Sequence, residues 1–311
     1  MFGTKVGGTM ELLRSLSAHI ANGAAPLSRR GWLYALAAAG GSWLLPRLAS
    51  AQGYAPTRQN REAPEEKAVS TREAREEALR VIPWDKLNDE SQRKLRSVVD
   101  SPSIYRRMPK KTIDSDAALY LFLLRNPEVV VNMWQVLGIS NMTAQRTGPF
   151  TWKGNDGAGT QCDVELAYGT SDLHIIYGEG FYEGQLFKRK MSGRCVLLIR
   201  SGYAQDGRSR VASLLDVFLT VDNAGLDLVA KTLSPLVGST ADSNFTETAK
   251  FLGRVSLTAE QNGPKLEQMS TKLTKVEPPV REQFVQLTTE IYQRSALSEA
   301  AAVKPANGLR R

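Results

Sequence analysis

Beyond Gly138 the spacing of apolar residues changes from helical to alternating, and this change limits the fold more than any other feature of the chain. In TQCDVELAYG, residues 160–169, Cys162, Val164, Leu166 and Tyr168 fall on one face while Gln161, Asp163 and Glu165 fall on the other. That is the period-two pattern of a half-buried strand. ASLLDVFLTVD, residues 212–222, repeats it with Leu215, Val217, Leu219 and Val221. LHIIYGEG, FYEGQLFKRK and GRCVLLIRSGY lie between them, and the polar turns GTSD and AQDGRS punctuate the series. Connections this short leave no room for the crossovers of a dozen or more residues that parallel strands need, so the spacing predicts an antiparallel meander of five or six strands.

Helical signals flank the meander. Residues 71–81, TREAREEALRV, are rich in helix formers with Ser70 or Thr71 available as N-cap, and Pro83 stops them. A second helix is expected over 89–99, with Leu95, Val98 and Val99 on one edge. Pro102 and Pro109 forbid a continuous helix through the connector that follows. Ser115 or Asp116 can cap AALYLFLLRN, which is apolar all round and so expected to be buried, and Pro127 opens a further helix that ends at Gly138. After the meander, GLDLVAKTLSPLVG reads as helical. Asp242 or Ser243 can cap a helix through Ala259 with Phe245, Ala249, Leu252 and Val255 on one stripe, and a last helix from Val280 aligns Phe284, Leu287 and Ile291. Helices, antiparallel sheet, helices: the fold class is α+β.

The amino-terminal stretch SRRGWLYALAAAGGSWLLPRLASAQ, residues 28–52, is an address rather than a domain. Arg29 and Arg30 precede an apolar run broken by Pro46 and Arg47, which is short of the ~20 residues a spanning helix needs, and Ala49, Ser50 and Ala51 offer a small-residue cleavage site. The paired arginines resemble a twin-arginine export signal, although Tyr34 stands where a basic residue is usual; an ordinary Sec signal and an uncleaved anchor are the alternatives. The chain is therefore expected to be exported, to the periplasm or beyond, after cleavage near Ala51. Removing residues 1–51 lowers the formal net charge from +8 to +4, too weak and too scattered for nucleic-acid binding. The clusters RRMPKK, 106–111, and KRKMSGR, 188–194, read as solvated loops or strand ends. The parts that follow are a flexible linker over 52–70, an N-terminal helical segment over 71–114, an α+β domain over 115–262, a C-terminal helical extension over 263–297 and a tail over 298–311.

The residues available for chemistry are few. His174 is the one histidine left after cleavage, and Cys162 and Cys195 are the only cysteines. A zinc site needs three or four ligands, so no metal and no cofactor is expected. An oxidising compartment leaves a Cys162–Cys195 disulfide open, although the two lie on strands separated by a hairpin. No nucleophile elbow occurs, and His174 beside Ile175 and Ile176 reads as a structural or surface histidine with a general-base role as the sharper alternative. GNDGAG, 154–159, lacks the order of a phosphate loop and reads as a hairpin turn; EGFYEG, 179–184, reads as a bulge or strand corner, with a ligand-facing lip as the alternative. Asp163 and Glu165 share a strand face, as acid–base pairs do and as the outer faces of ordinary strands do. Trp134, Tyr168, Tyr177, Phe181, Tyr182 and Tyr203 are the aromatic residues that can line an apolar pocket, or simply fill a core.

Taken together, NPEVVVNMWQVLG before the sheet, SLLDVFLTVDNAGL as a last strand and TADSNFTETAKFLGRVSLTA as a long helix resemble the START-like, or polyketide cyclase/lipid-transport, helix-grip superfamily over about 115–260. YLFLLRNPEVVVNMW and DGAGT are also similar to a group of exported bacterial proteins of unknown function. The resemblance implies a sheet curled around the helix with an apolar cavity between them. It further implies a non-enzymatic carrier for a hydrophobic small molecule or lipid. A cyclase- or hydrolase-like enzyme on the same scaffold, using His174 or a carboxylate, is one alternative; an envelope protein-interaction module with a filled core is the other.

Overall fold

The computed structural model describes residues 67–184, 190–205, 209–222 and 234–303. The export signal and most of the linker, 1–66, lie outside them. The fold is α+β, with one eight-stranded antiparallel sheet between two layers of helices.

Two amino-terminal helices, α1 (Arg72–Arg80) and α2 (Asp89–Val99), form one layer. Thr71 caps α1 by accepting from the Ala74 amide, and Asn88 caps α2 by accepting from that of Ser91. Strands β1 (Ile104–Arg107) and β2 (Lys111–Asp114) follow. Helix α3 (Ala117–Arg125) is capped by Asp116 on the Ala118 and Leu119 amides, and α4 (Pro127–Val136) starts on proline and gives way to Gly138 at φ 69°, the left-handed conformation a helix end favours. Strands β3 (Thr143–Gly148), β4 (Thr151–Asn155), β5 (Thr160–Gly169), β6 (Leu173–Tyr182), β7 (Met191–Gln205) and β8 (Ser209–Val221) then run as a meander. Helices α5 (Ser234–Ser270) and α6 (Pro278–Val303) complete the chain.

The sheet order is β1-β8-β7-β6-β5-β4-β3, and β2 also pairs with β8. The expectation of five or six strands fell short because four strands are weakly marked. β1 and β2 lie in the proline-bounded connector assigned to the helical segment 71–114, and they are strands because β8 offers a free edge: Tyr105 registers with Phe218 and Ile113 with Val211. β3 and β4 are a short hairpin of mostly polar residues, with a register shift between Arg146 and Gly148.

Both faces of the sheet are covered. Toward α1 and α2, Leu95, Val98 and Val99 pack with Tyr105, Ile175, Val196, Leu198 and Phe218. Toward α3–α6, Leu119, Leu123, Trp134, Val211, Leu252, Val255 and Phe284 share a larger core. The polar outer face expected of the strands therefore survives only in part. Glu165 of β5 accepts from Lys94 of α2 at 2.8 Å, whereas Asp163 stays exposed, 3.9 Å from Lys153. A β-bulge between Leu166 and Tyr168 breaks the alternation of β5, so Cys162 and Val164 belong to the α3–α6 core while Tyr168 packs beside α1 and α2.

Helix α5 passes Asp242 and Ser243 without starting there. Asp242 instead receives two hydrogen bonds from the Arg106 guanidinium, fixing α5 to β1. The helix is broken at Asn262, where φ is −155°, just ahead of Pro264. The residues after this kink, Leu266, Met269 and Leu273, and then Phe284 and Ile291 of α6, enter the same core as the residues before it. Of GLDLVAKTLSPLVG, 225–233 lie outside the described residues.

Candidate functional site

Between α5 and the sheet, with α3 and α4 closing the side, lies a cavity of about 100 Å³. Helix α5 supplies Ala241, Asn244, Phe245, Thr248, Ala249 and Leu252, the i, i+3, i+4, i+7, i+8, i+11 series of a single helical stripe. β7 contributes Leu197 and Ile199, β8 contributes Ser213 and Leu215, and β2 contributes Ile113. These are the alternate positions of their strands that point away from α1 and α2. Tyr120 and Leu123 of α3 and Val130, Val131 and Trp134 of α4 form the remaining wall. Phe245 packs on Leu215 and Val217, as the apolar stripes of both elements predict, and Leu252 joins the core to which Val164 belongs.

Among the described residues, no charged residue lines this space. Its polar groups are the Tyr120 hydroxyl, the Trp134 indole N–H, Ser213, Asn244 and Thr248. The Tyr120 hydroxyl lies 3.1 Å from Ser201 Oγ and donates to Ser213 Oγ at 3.2 Å. The nearest cation on β1, Arg106, is held by Asp242. With about 100 Å³, the cavity is somewhat smaller than the ~150 Å³ apolar void that accepts benzene, and so suits a ring or a short stretch of hydrocarbon chain.

Of the six aromatic candidates, the structure brings Trp134 alone to the cavity, where its ring also meets Phe251 edge-on at 5.8 Å. Tyr168 and Tyr177 pack with the α1–α2 layer, where burial and the Glu179 carboxylate accepting its hydroxyl proton push the Tyr177 phenol up. Phe181 carries the Lys190 ammonium 3.4 Å above its ring, and Tyr182 is buried at the end of β6. Tyr203 is 38% exposed and donates to the Ser171 carbonyl. Sequence reasoning missed Asn244 and Thr248: they sit beside the apolar stripe of α5, and nothing in a helical pattern separates a cavity-facing polar residue from a solvated one.

GNDGAG is a hairpin turn between β4 and β5. Asn155 accepts from the Gly157 amide and Asp156 from those of Ala158 and Thr160, so the loop's donors are spent internally. Cys162 and Cys195 are both free and buried. β6 lies between their strands, and Cys162 registers with Gly180 but Cys195 with Gly178, so their Cα atoms are more than two strand spacings, ~9.5 Å, apart, beyond the reach of a disulfide. Burial pushes the Cys162 thiol up to about 12 and that of Cys195 well above its usual range, which leaves both poor nucleophiles. Among the described residues no three His, Cys, Asp or Glu side chains are grouped to hold a metal, and no helix is long and apolar enough to cross a membrane.

His174 is fully buried, away from the cavity. Its Nε2 accepts from Arg125 Nε at 3.1 Å, while Nδ1 is buried without a partner. Burial first, and the Arg125 charge second, lower its pKa to about 4. The folded chain thus holds a neutral ring that the unfolded chain would protonate below about 6.5. Stability attributable to His174 is complete above that pH and is lost as the pH falls toward 4, by up to about 3 kcal/mol. His174→Gln keeps an acceptor for Arg125, so its urea-unfolding free energy should lose less between pH 7 and 4 than that of the parent chain; parallel curves would remove His174 from the acid response.

No protein-family model matches the chain. None of the curated proteins matches it either.

Proposed function

We propose that the chain is an exported, non-enzymatic binding protein that holds a small hydrophobic molecule, or the tail segment of a lipid, between α5 and the sheet in a helix-grip arrangement. The observation that carries the reading is the cavity wall: apolar residues from six elements converge on one space of about 100 Å³, and among the described residues none of those lining it is charged. Apolar surface held open in this way gains dispersion contacts and loses little hydration when an apolar group enters. The sheet continuing past the grip toward β3, and the α1–α2 layer behind it, support the wall from outside. Export rests on residues 28–52, whose arginine pair, apolar run and small-residue site make the periplasm or exterior the working compartment. An enzyme on this scaffold finds less support, since His174, Asp163 and Glu165 all lie away from the cavity lining.

Native mass spectrometry of the protein purified from its own host tests both parts at once. The expected result is a chain that begins at Gln52 and carries an excess mass that organic solvent extracts. A mass that includes residues 1–51 would refute processing. A chain with no adduct that also binds no small hydrocarbon in titration would refute the carrier and leave the protein-interaction module.

A further inference from the structure

We infer that the molecule this cavity selects is uncharged, with a short apolar body and one polar group, an alcohol or a primary amide, that hydrogen-bonds the side chain of Asn244. The inference rests on the carrier reading above and assigns its ligand class. Asn244 is 8% exposed and lines the cavity, and its side-chain amide has no hydrogen-bond partner among the described residues. The amide offers two donors and an acceptor, and its atoms stay open to the cavity, so an incoming polar group can reach them. The Tyr120 hydroxyl, by contrast, is shared between Ser201 and Ser213. Asn244, which can both donate and accept, is therefore a point on the wall at which an incoming polar group improves the hydrogen bonding of the protein as well as its own.

The sign of the ligand's charge follows from the same wall. A carboxylate would need a cation or several donors to replace its water. Among the described residues the lining holds no Lys, Arg or His, and Arg106 is bound two-fold by Asp242. An ammonium would equally find no carboxylate. A neutral group that donates and accepts matches the amide of Asn244, and the apolar body then extends along Phe245, Leu215 and Leu197 toward Trp134.

Calorimetric titration of the full chain at pH 7 with n-pentane, 1-pentanol, pentanamide and pentanoate tests this. Pentanol and pentanamide should bind at least tenfold more tightly than pentanoate. Asn244→Leu, which keeps the branching of the side chain but adds volume and removes its donors and acceptor, should leave the thermal midpoint no lower and should weaken pentanamide by at least tenfold more than it weakens pentane. Pentanoate binding as tightly as pentanamide in the parent chain, or an Asn244→Leu chain with the parent's order of affinities, would overturn the assignment while pentane binding kept the carrier reading intact. Failure of all four to bind would instead remove the carrier reading and this inference with it.

Discussion

Asp216→Ala should lower the unfolding free energy by about 3 to 5 kcal/mol, the cost of leaving buried cations without their counter-charge. Asp216 is fully buried on β8, on the face that meets α1. Its carboxylate accepts from the Tyr105 hydroxyl at 2.7 Å, from Arg107 Nε at 2.7 Å and from Arg200 Nη2 at 3.0 Å. Both guanidiniums turn their other edge to Glu77 of α1, at 2.7 Å each, and these two hydrogen bonds hold its carboxyl down at about 2. The four charged groups close a ring between β1, β7, β8 and α1. Removing Asp216 leaves two cations beside one partly exposed carboxylate, and the Tyr105 hydroxyl without its acceptor. Glu77→Ala should cost far less, because Glu77 is 46% exposed and water can replace it. Urea unfolding followed by far-ultraviolet circular dichroism reads both. Equal losses for the two variants would mean that water already reaches Asp216. Because the folded carboxyl of Glu77 is depressed, its share is present above about 4.5 and lost as the pH falls toward 2.

This ring also marks where the sequence stops speaking. Arg106 and Arg107 read as a solvated basic cluster, yet one clamps α5 through Asp242 and the other enters the ring with Asp216. A charge pattern records only neighbours along the chain, and these partners stand more than a hundred residues away. The same distinction separates the legible elements from the rest. β5 and β8 announce themselves by alternation, and α1 to α4 by their caps and their terminating proline or glycine, because those signals are local. β1 and β2 become strands only by meeting the edge of β8, and the hairpin β3–β4 carries too few apolar residues to show a period. The bulge that moves Tyr168 across the sheet shifts the phase of a pattern that otherwise reads unbroken. For the candidate site, the stripe Phe245, Ala249, Leu252 gave the cavity-facing side of α5, but Asn244 gains its meaning only from the absence of charge on the opposite wall.

A second large loss is expected from Phe284→Ala, and its comparison with Leu252→Ala bears on the carrier. Phe284 on α6 is fully buried and stacks on Phe122 of α3 with ring centroids 6.0 Å apart, within the core that Leu119 and Val255 share. Truncation removes a ring from dense packing and leaves a void that the surrounding helices can only partly close, so about 3 to 5 kcal/mol should be lost. Leu252 belongs to the same core but lines the existing cavity, so part of its side chain already faces empty space. Fewer contacts disappear with it, and its loss should fall at or below about 2 kcal/mol, the low end for Leu→Ala. The enlarged space should meanwhile admit a bulkier hydrocarbon, so benzene should bind the Leu252→Ala chain more tightly than the parent. A Leu252→Ala chain that loses as much stability as Phe284→Ala, with benzene affinity unchanged, would place Leu252 in closed packing and take away the cavity on which the carrier depends.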